Sequence, residues 1–187
     1  MIDVNQLRKG TTFLEDGEIY KVLNYTHHKP GRGNATIRLS VRNMRTGTTR
    51  ELTYNSGERV QDVEEDKRDV QFLFDDGQFL TFMDTETYEQ PQLRRDVFGD
   101  DVYFLKEGQT ITLNTFEGEM IDYTLPPNVE QVVAESEPGF AGDTANNPVK
   151  KIKTETGLEV SVPLFINAGD VIRVKTEDGS YVTRVNA

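Results

Sequence analysis

Hydrophobic and polar residues alternate in short segments along almost the whole chain, and the helical spacing of apolar residues is nearly absent. Ile37, Leu39 and Val41, for example, alternate with polar residues, which is the pattern of a strand with one buried face. Similar patterns predict strands at residues 19–25, 51–54, 70–74, 79–83, 110–113, 129–133, 158–162, 171–175 and 181–185. Turn signals such as Asp16-Gly17 and Glu117-Gly118 sit between these segments. Many short strands at this spacing predict an all-β protein built from barrels or sandwiches.

An internal repeat lies in the last two thirds of the chain. At an offset of 61 residues, an aromatic residue, a turn glycine, an alternating strand and a hairpin glycine recur in the same order. The matched pairs are Phe104 with Phe165, Gly108 with Gly169, Ile111 with Ile172, Leu113 with Val174, Thr115 with Thr176, Gly118 with Gly179, and Ile121 with Val182. Residues 64–127 and 128–187 are therefore predicted to be two copies of one small barrel. A chance match between ordinary hairpins is the alternative.

The charges of the chain are unevenly distributed, although the net charge is −11. Residues 1–63 hold ten basic and seven acidic residues, residues 64–127 hold five and sixteen, and residues 128–187 hold six and nine. No acid lies between Glu18 and Glu51, whereas seven cations do. Such a stretch predicts a surface for polyanions, with Arg38, Arg42 and Arg45 on an RNA-facing basic strand. The alternative is a solvated face whose counter-charges come from the middle third.

Several classes of protein are disfavoured by composition. The absence of cysteine excludes disulfides, thiolate metal sites and cysteine nucleophiles. No stretch approaches the ~18–20 apolar residues of a membrane span, and the first residues do not resemble a signal peptide. We therefore expect a cytoplasmic protein without membrane contact.

Nothing in the sequence favours an enzyme. The two histidines, His27 and His28, are adjacent, and in a strand they would point to opposite faces. No acidic motif has the spacing of metal ligands, so we expect no metal and no cofactor. A hydrolase that uses carboxylates of the middle third is a disfavoured alternative, because any chain with 32 acids offers such pairs by chance.

One connection is longer than a hairpin needs. About 2–5 residues would join the predicted strands at 19–25 and 35–41. Instead the chain places a basic, glycine-rich segment there, named here the tip loop: Lys29, Pro30, Gly31, Arg32, Gly33 and Asn34. The two glycines allow the backbone to present Arg32 at the tip. The segment is not a P-loop, because a strand follows it. It predicts a contact with nucleic acid, and an ordinary turn is the alternative.

A second loop, at residues 137–148, is rich in residues that tolerate unusual backbone geometry and offer hydrogen bonds. Inter-strand loops of oligonucleotide-binding barrels contact the bound strand. An Ω-type surface loop without a ligand is the alternative.

Taken together, these segments resemble the bacterial elongation factor P family, and the resemblance runs from end to end. The segments that carry it are residues 29–35, 82–90, 138–139 with 142–144, 156–157 with 162–165, and 179–185. The resemblance implies an SH3-like (KOW-like) barrel at residues 1–63 that carries the tip loop. An acidic central OB-fold barrel at residues 64–127 and a C-terminal OB-fold barrel at residues 128–187 would follow.

The resemblance also implies a function and partners. The family binds the 70S ribosome beside the peptidyl-tRNA in the P site and relieves stalling at consecutive prolines without being an enzyme. The tip loop would then reach the acceptor end of the tRNA, with Arg32 at its tip. Contacts with the small subunit and with the mRNA codon in the E site would come from Gly142, Asp143, Thr144, Tyr181 and Arg184. The protein is expected to act as a monomer.

The arginine at position 32 excludes the lysine modification that many family members carry, and leaves rhamnose or no modification open. A modifying enzyme acting on Arg32 would be a further partner. The alternative function is a general RNA-binding or ribosome-associated β-barrel protein without an effect on peptide transfer.

Overall fold

The strands of the chain fall into three sheets. A computed structural model describes residues 1–138 and 148–185. Within these ranges almost all regular structure is strand, and the helices are short. The expected all-β class is confirmed, and each sheet contains five or six strands.

The first sheet has the strand order β1-β6-β2-β3-β4-β5. Its strands are β1 (Ile2–Asp3), β2 (Thr12–Glu15), β3 (Glu18–His28), β4 (Thr36–Asn43), β5 (Thr49–Asn55) and β6 (Arg59–Asp62), and a 3₁₀ helix occupies Val4–Gln6. The rings of Tyr20 and Tyr54 pack on the fully buried ring of Phe13, with centroids 5.9 and 6.5 Å away. The Tyr54 hydroxyl donates a 2.8 Å hydrogen bond to Glu15, and burial is the main cause that raises the pKa of Tyr54.

The second sheet has the order β11-β10-β7-β8-β9. Its strands are β7 (Asp66–Asp75), β8 (Phe79–Asp84), β9 (Gln92–Arg94), β10 (Thr110–Phe116) and β11 (Glu119–Thr124). A short helix, α1 (Arg95–Phe98), and a 3₁₀ helix (Gly99–Phe104) lie between β9 and β10. The rings of Phe72, Phe82 and Phe98 pack in a row with centroids 5.6 and 5.8 Å apart, and Tyr123 stacks on Phe98 at 3.9 Å.

The third sheet has the order β14-β13-β12-β15-β16. Its strands are β12 (Asn128–Ser136), β13 (Val149–Thr154), β14 (Glu159–Pro163), β15 (Val171–Lys175) and β16 (Tyr181–Val185). Branched residues of these strands form a buried cluster that also includes Phe104.

A fully buried polar side chain, Gln131, lies inside the region of the third sheet. Gln131 is 0% exposed, and its amide nitrogen donates to the carbonyl of Tyr103 at 2.8 Å. Its amide oxygen accepts hydrogen bonds from the hydroxyls of Thr154, at 2.6 Å, and Thr156, at 2.9 Å. Because a buried amide is stable only when its donors and acceptors are paired, these bonds fix the position of β12 against its neighbours.

The chain divides into two compact units. One contains Met1–Lys67 with Asn114–Asp122, and the other contains Arg68–Leu113 with Tyr123–Ala187. The predicted boundaries of the three domains stay a prediction.

The structure contains all the strands named above from the sequence, mostly longer than predicted. Two hairpins have the expected two-residue turns, because Asp16 with Gly17 and Glu117 with Gly118 all have positive φ. The repeat pairs Ile111 with Ile172 and Leu113 with Val174 are buried in both copies. Other pairs differ in burial, as Phe104 is 7% exposed and Phe165 is 56% exposed.

We predict that Gln131→Leu lowers the free energy of unfolding of its unit by about 1–3 kcal/mol, because the Tyr103 carbonyl and the Thr154 hydroxyl lose their hydrogen bonds with Gln131 and keep only those with Thr156. Urea unfolding followed by near-UV circular dichroism measures the change. Gln78→Leu is the control, since Gln78 is exposed, and it should change the free energy by less than about 0.5 kcal/mol. Equal free energies of unfolding for the two variants would contradict the stabilising role of the Gln131 hydrogen bonds.

Candidate nucleic-acid interface

The tip loop is held at the end of the longest strand pair in the structure. Strand β3 has 11 residues and pairs with β4 as far as His28 opposite Thr36. Its last three residues, including His27 and His28, are exposed on both faces of the strand. The end of β3 is therefore exposed, while Ile37, opposite His27 on β4, is still buried, so the loop begins where the core ends.

Arg32 lies in the middle of this loop and is exposed. Gly33 adopts φ +109°, a conformation that L side chains rarely adopt, so the sequence needs glycine there. Within the part of the chain that the structure describes, no side chain of the tip loop makes a hydrogen bond or an ion pair. The donors of Lys29 and Arg32 are therefore available to a ligand.

Two of the three predicted RNA-facing arginines lie together on the outer face of β4. Arg38 is paired opposite Thr26 and Thr53, and Arg42 is paired opposite Lys21 and Thr49. Both are exposed, and neither has an ion pair with a described residue. Leu39 and Val41, which alternate with them along the strand, point into the core, as the alternation predicts.

Arg45 differs from the other two arginines. It follows β4 in a turn, where its guanidinium binds the carboxylate of Glu119 at 3.3 Å and the carbonyl of Gly17 at 2.6 Å. Lys21 likewise forms an ion pair with Asp122, whose side chain is 12% exposed. Acids of the middle third thus neutralise two of the seven cations of the acid-free stretch, while Arg38 and Arg42 keep their charge exposed. An RNA contact by Arg45 stays a prediction.

The predicted contacts of the last third are only partly described. Gly142, Asp143 and Thr144 lie outside the described residues. Tyr181 packs against the buried cluster of the third sheet. Arg184 lies over the ring of Phe165, with its guanidinium carbon 5.2 Å from the ring centroid, and its Nη1 is 4.0 Å from Oδ2 of Asp170. The sequence did not single out Phe165 as a site residue.

An acidic groove of about 560 Å³ lies in the second unit. Its charged lining consists of Asp100, Asp101, Lys153, Glu159, Glu177 and Asp178. The hydroxyl and the backbone N–H of Ser180 hold the pKa of Asp178 below its usual value, which is the opposite of what a carboxylic acid that donates a proton requires.

Among the described residues no cluster of histidines and acids is arranged to hold a metal. No helix within residues 1–138 and 148–185 is long and apolar enough to cross a membrane.

Three family models match the chain in succession. They are the elongation factor P KOW-like domain at residues 3–60, the elongation factor P OB domain at residues 65–123, and the elongation factor P C-terminal domain at residues 129–184. All three models describe domains of one family of translation factors. The chain belongs to the elongation factor P family, which confirms the resemblance of its motifs.

The fold is also similar to solved structures. A protein described as eukaryotic translation initiation factor 5A from Methanococcus jannaschii matches with a TM-score of 0.51 and 22% identity, over 66% of this chain and 92% of that chain. A translation initiation factor eIF-5A family protein from Naegleria fowleri matches with a TM-score of 0.37 and 14% identity, over 66% of this chain and 96% of that chain. The first similarity supports the fold alone.

We predict that replacing Glu119 and Asp122 by Gln and Asn raises the affinity for structured RNA at low salt, because Arg45 and Lys21 are released. The slope of log affinity against log salt should steepen by about 0.7–0.9 for each cation that contacts a phosphate. Filter binding across a salt series measures both quantities.

The control carries two acid-to-amide changes elsewhere, Glu86→Gln and Glu107→Gln, and so has the same net charge. Both acids are exposed and without an ion pair in the described chain. An equal gain in affinity for both double variants would show that only net charge matters.

Proposed function

We propose that this translation factor binds the 70S ribosome beside the peptidyl-tRNA in the P site. There it promotes peptide bond formation at consecutive prolines by positioning the acceptor end of the tRNA. The observation that supports this most is the presentation of Arg32. The residue lies exposed in a loop at the end of a long strand pair, and the loop's side chains have no partner among the described residues.

The chemistry of Arg32 suits this role. A guanidinium is always charged, pairs with phosphate through two parallel hydrogen bonds, and stacks on bases. Contacts of this kind hold an RNA end without transferring a proton. Since a proline is a constrained reactant, the stalled state is one in which the reacting groups are poorly placed.

Positioning alone is sufficient for a large effect. Holding two reactants in attack geometry removes up to roughly 7–11 kcal/mol of barrier in well-oriented systems. The protein needs only a fraction of that amount to rescue a slow step, and the ribosome supplies the catalytic groups. This account uses no metal and no cofactor of the protein.

The remaining contacts belong to the same proposal. Gly142, Asp143 and Thr144 would contact the mRNA codon in the E site, and Tyr181 and Arg184 would contact RNA of the small subunit. The protein would act in the cytoplasm as a monomer. The intact mass of the protein from its native cells distinguishes rhamnosylated Arg32 from unmodified Arg32, because the sugar adds a discrete mass to the loop peptide.

Arg32→Ala is expected to slow formation of a diproline bond by about 10- to 100-fold relative to the unchanged protein, because it removes the positioning contact. Quench-flow measurement of a Met-Pro-Pro peptide in a reconstituted translation system gives the rate. Thermal unfolding should be unchanged, since the exposed side chain makes no hydrogen bond or ion pair with the described residues.

Arg94→Ala is the control, because Arg94 is an exposed cation of β9 that pairs with Asp96. It should leave the diproline rate unchanged. If Arg32→Ala keeps the full rate, Arg32 has no positioning role.

A general RNA-binding protein is the second candidate, and the exposed pair Arg38 and Arg42 favours it. On that view Arg38→Ala with Arg42→Ala weakens binding to structured RNA and flattens its salt dependence. Changes in the tip loop would then have little effect. A wild-type protein that binds ribosomes but does not change the diproline rate would favour this candidate.

A further inference from the structure

The two repeat copies differ in what they leave exposed. Phe104 of the first copy lies in a buried cluster with Val129 and Ile166, whereas its counterpart Phe165 is 56% exposed. A second repeat pair behaves in the same way, because Ile121 is buried and Val182 is exposed. The last copy thus exposes an aromatic ring and a branched side chain at positions that the preceding copy buries.

The guanidinium of Arg184 lies against the exposed ring of Phe165. The guanidinium carbon is 5.2 Å from the ring centroid, which is within the range of a cation–π contact. Arg184 stays partly exposed in this contact, with 43% of its side-chain surface accessible.

The donors of Arg184 are largely unused. Its nearest acid, Asp170, is 4.0 Å away, and that carboxylate already accepts a 2.8 Å hydrogen bond from the backbone of Asn167. The Arg184 guanidinium makes no hydrogen bond with any residue in the described ranges. The contact with Phe165 thus restrains the guanidinium while its N–H groups stay available.

Strand β13 of the same sheet adds positive charge. β13 carries Lys150 and Lys151, and neither forms an ion pair with a described residue. The strand begins at Val149, which is exposed and paired opposite Pro163, two residues before Phe165. An exposed ring that contacts a guanidinium fits a nucleic acid better than an apolar peptide, since an apolar peptide would leave the Arg184 donors without partners.

We propose that Phe165 and Arg184 form a binding site for an unpaired nucleobase of RNA and its phosphate. The base stacks on the exposed ring, and the guanidinium donates to the phosphate or to the base edge. Phe165 contacts the base and also positions Arg184. This proposal rests on the proposed function, because it places the site among the contacts of the protein with the ribosome.

Binding of the full-length protein to 70S ribosomes that carry a P-site tRNA tests the site. Phe165→Leu should weaken binding about 5- to 100-fold, since stacking on an aromatic ring is lost. Phe165→Tyr keeps the ring and should stay within about threefold of the unchanged protein. Phe74→Leu is the control, because Phe74 is also an exposed phenylalanine but lies on β7.

A double-mutant cycle separates positioning from packing. If Phe165 positions Arg184, the losses caused by Phe165→Leu and Arg184→Ala should be smaller together than the sum of the single losses. A photoreactive phenylalanine analogue at position 165 should cross-link to RNA. Cross-linking to a ribosomal protein, full binding by Phe165→Leu, or loss of binding by Phe165→Tyr would each overturn the proposal.

The two proposals fail in different measurements. A wild-type protein that binds ribosomes but leaves the diproline rate unchanged refutes the proposed function and leaves the Phe165 site standing if Phe165→Leu weakens binding. Full binding by Phe165→Leu with a normal response to Arg32→Ala refutes the site alone. A wild-type protein that does not bind ribosomes refutes both.

Discussion

The pairing of β3 with β4 is the constraint on which the candidate site depends. Ile37, Leu39 and Val41 of β4 are fully buried, so the register of this strand is fixed by the core. A shift by one residue would bury Arg38 and Arg42 and expose the apolar set. A bulge between Val22 and Asn24 shifts the pairing by one residue, and the shifted register continues to His28 opposite Thr36 and thereby determines where the tip loop begins. Arg32 is thus positioned by hydrophobic burial elsewhere in the strand.

The second constraint is electrostatic. The chain is acidic overall, yet its basic residues are concentrated around the loop and β4. Within the first unit, Glu119 and Asp122 neutralise Arg45 and Lys21 and leave Arg38, Arg42 and the loop cations exposed. The positive potential is therefore concentrated on a smaller surface than the sequence indicates. Such a concentrated patch favours one orientation toward a polyanion, because the acids around it are repelled.

Much of the fold follows from local sequence, and most of the site's environment does not. Alternation predicted the strands because one buried face imposes a period of two, and Asp16-Gly17 predicted a hairpin because its turn needs positive φ. The ion pair of Arg45 with Glu119 joins residues 74 positions apart, and no local pattern encodes it. Helix α1 has only four residues, too few for a periodic signal. The exposure of Phe165 was missed because its repeat counterpart is a core residue, and burial depends on what packs against each copy.

A structure of the protein bound to a ribosome stalled between two prolines tests the central claim most directly. The account predicts that the tip loop reaches the acceptor end of the P-site tRNA, with the Arg32 guanidinium within hydrogen-bond distance, about 2.7–3.2 Å, of its RNA. A complex in which the protein is bound but Arg32 lies in solvent or against ribosomal protein would contradict it.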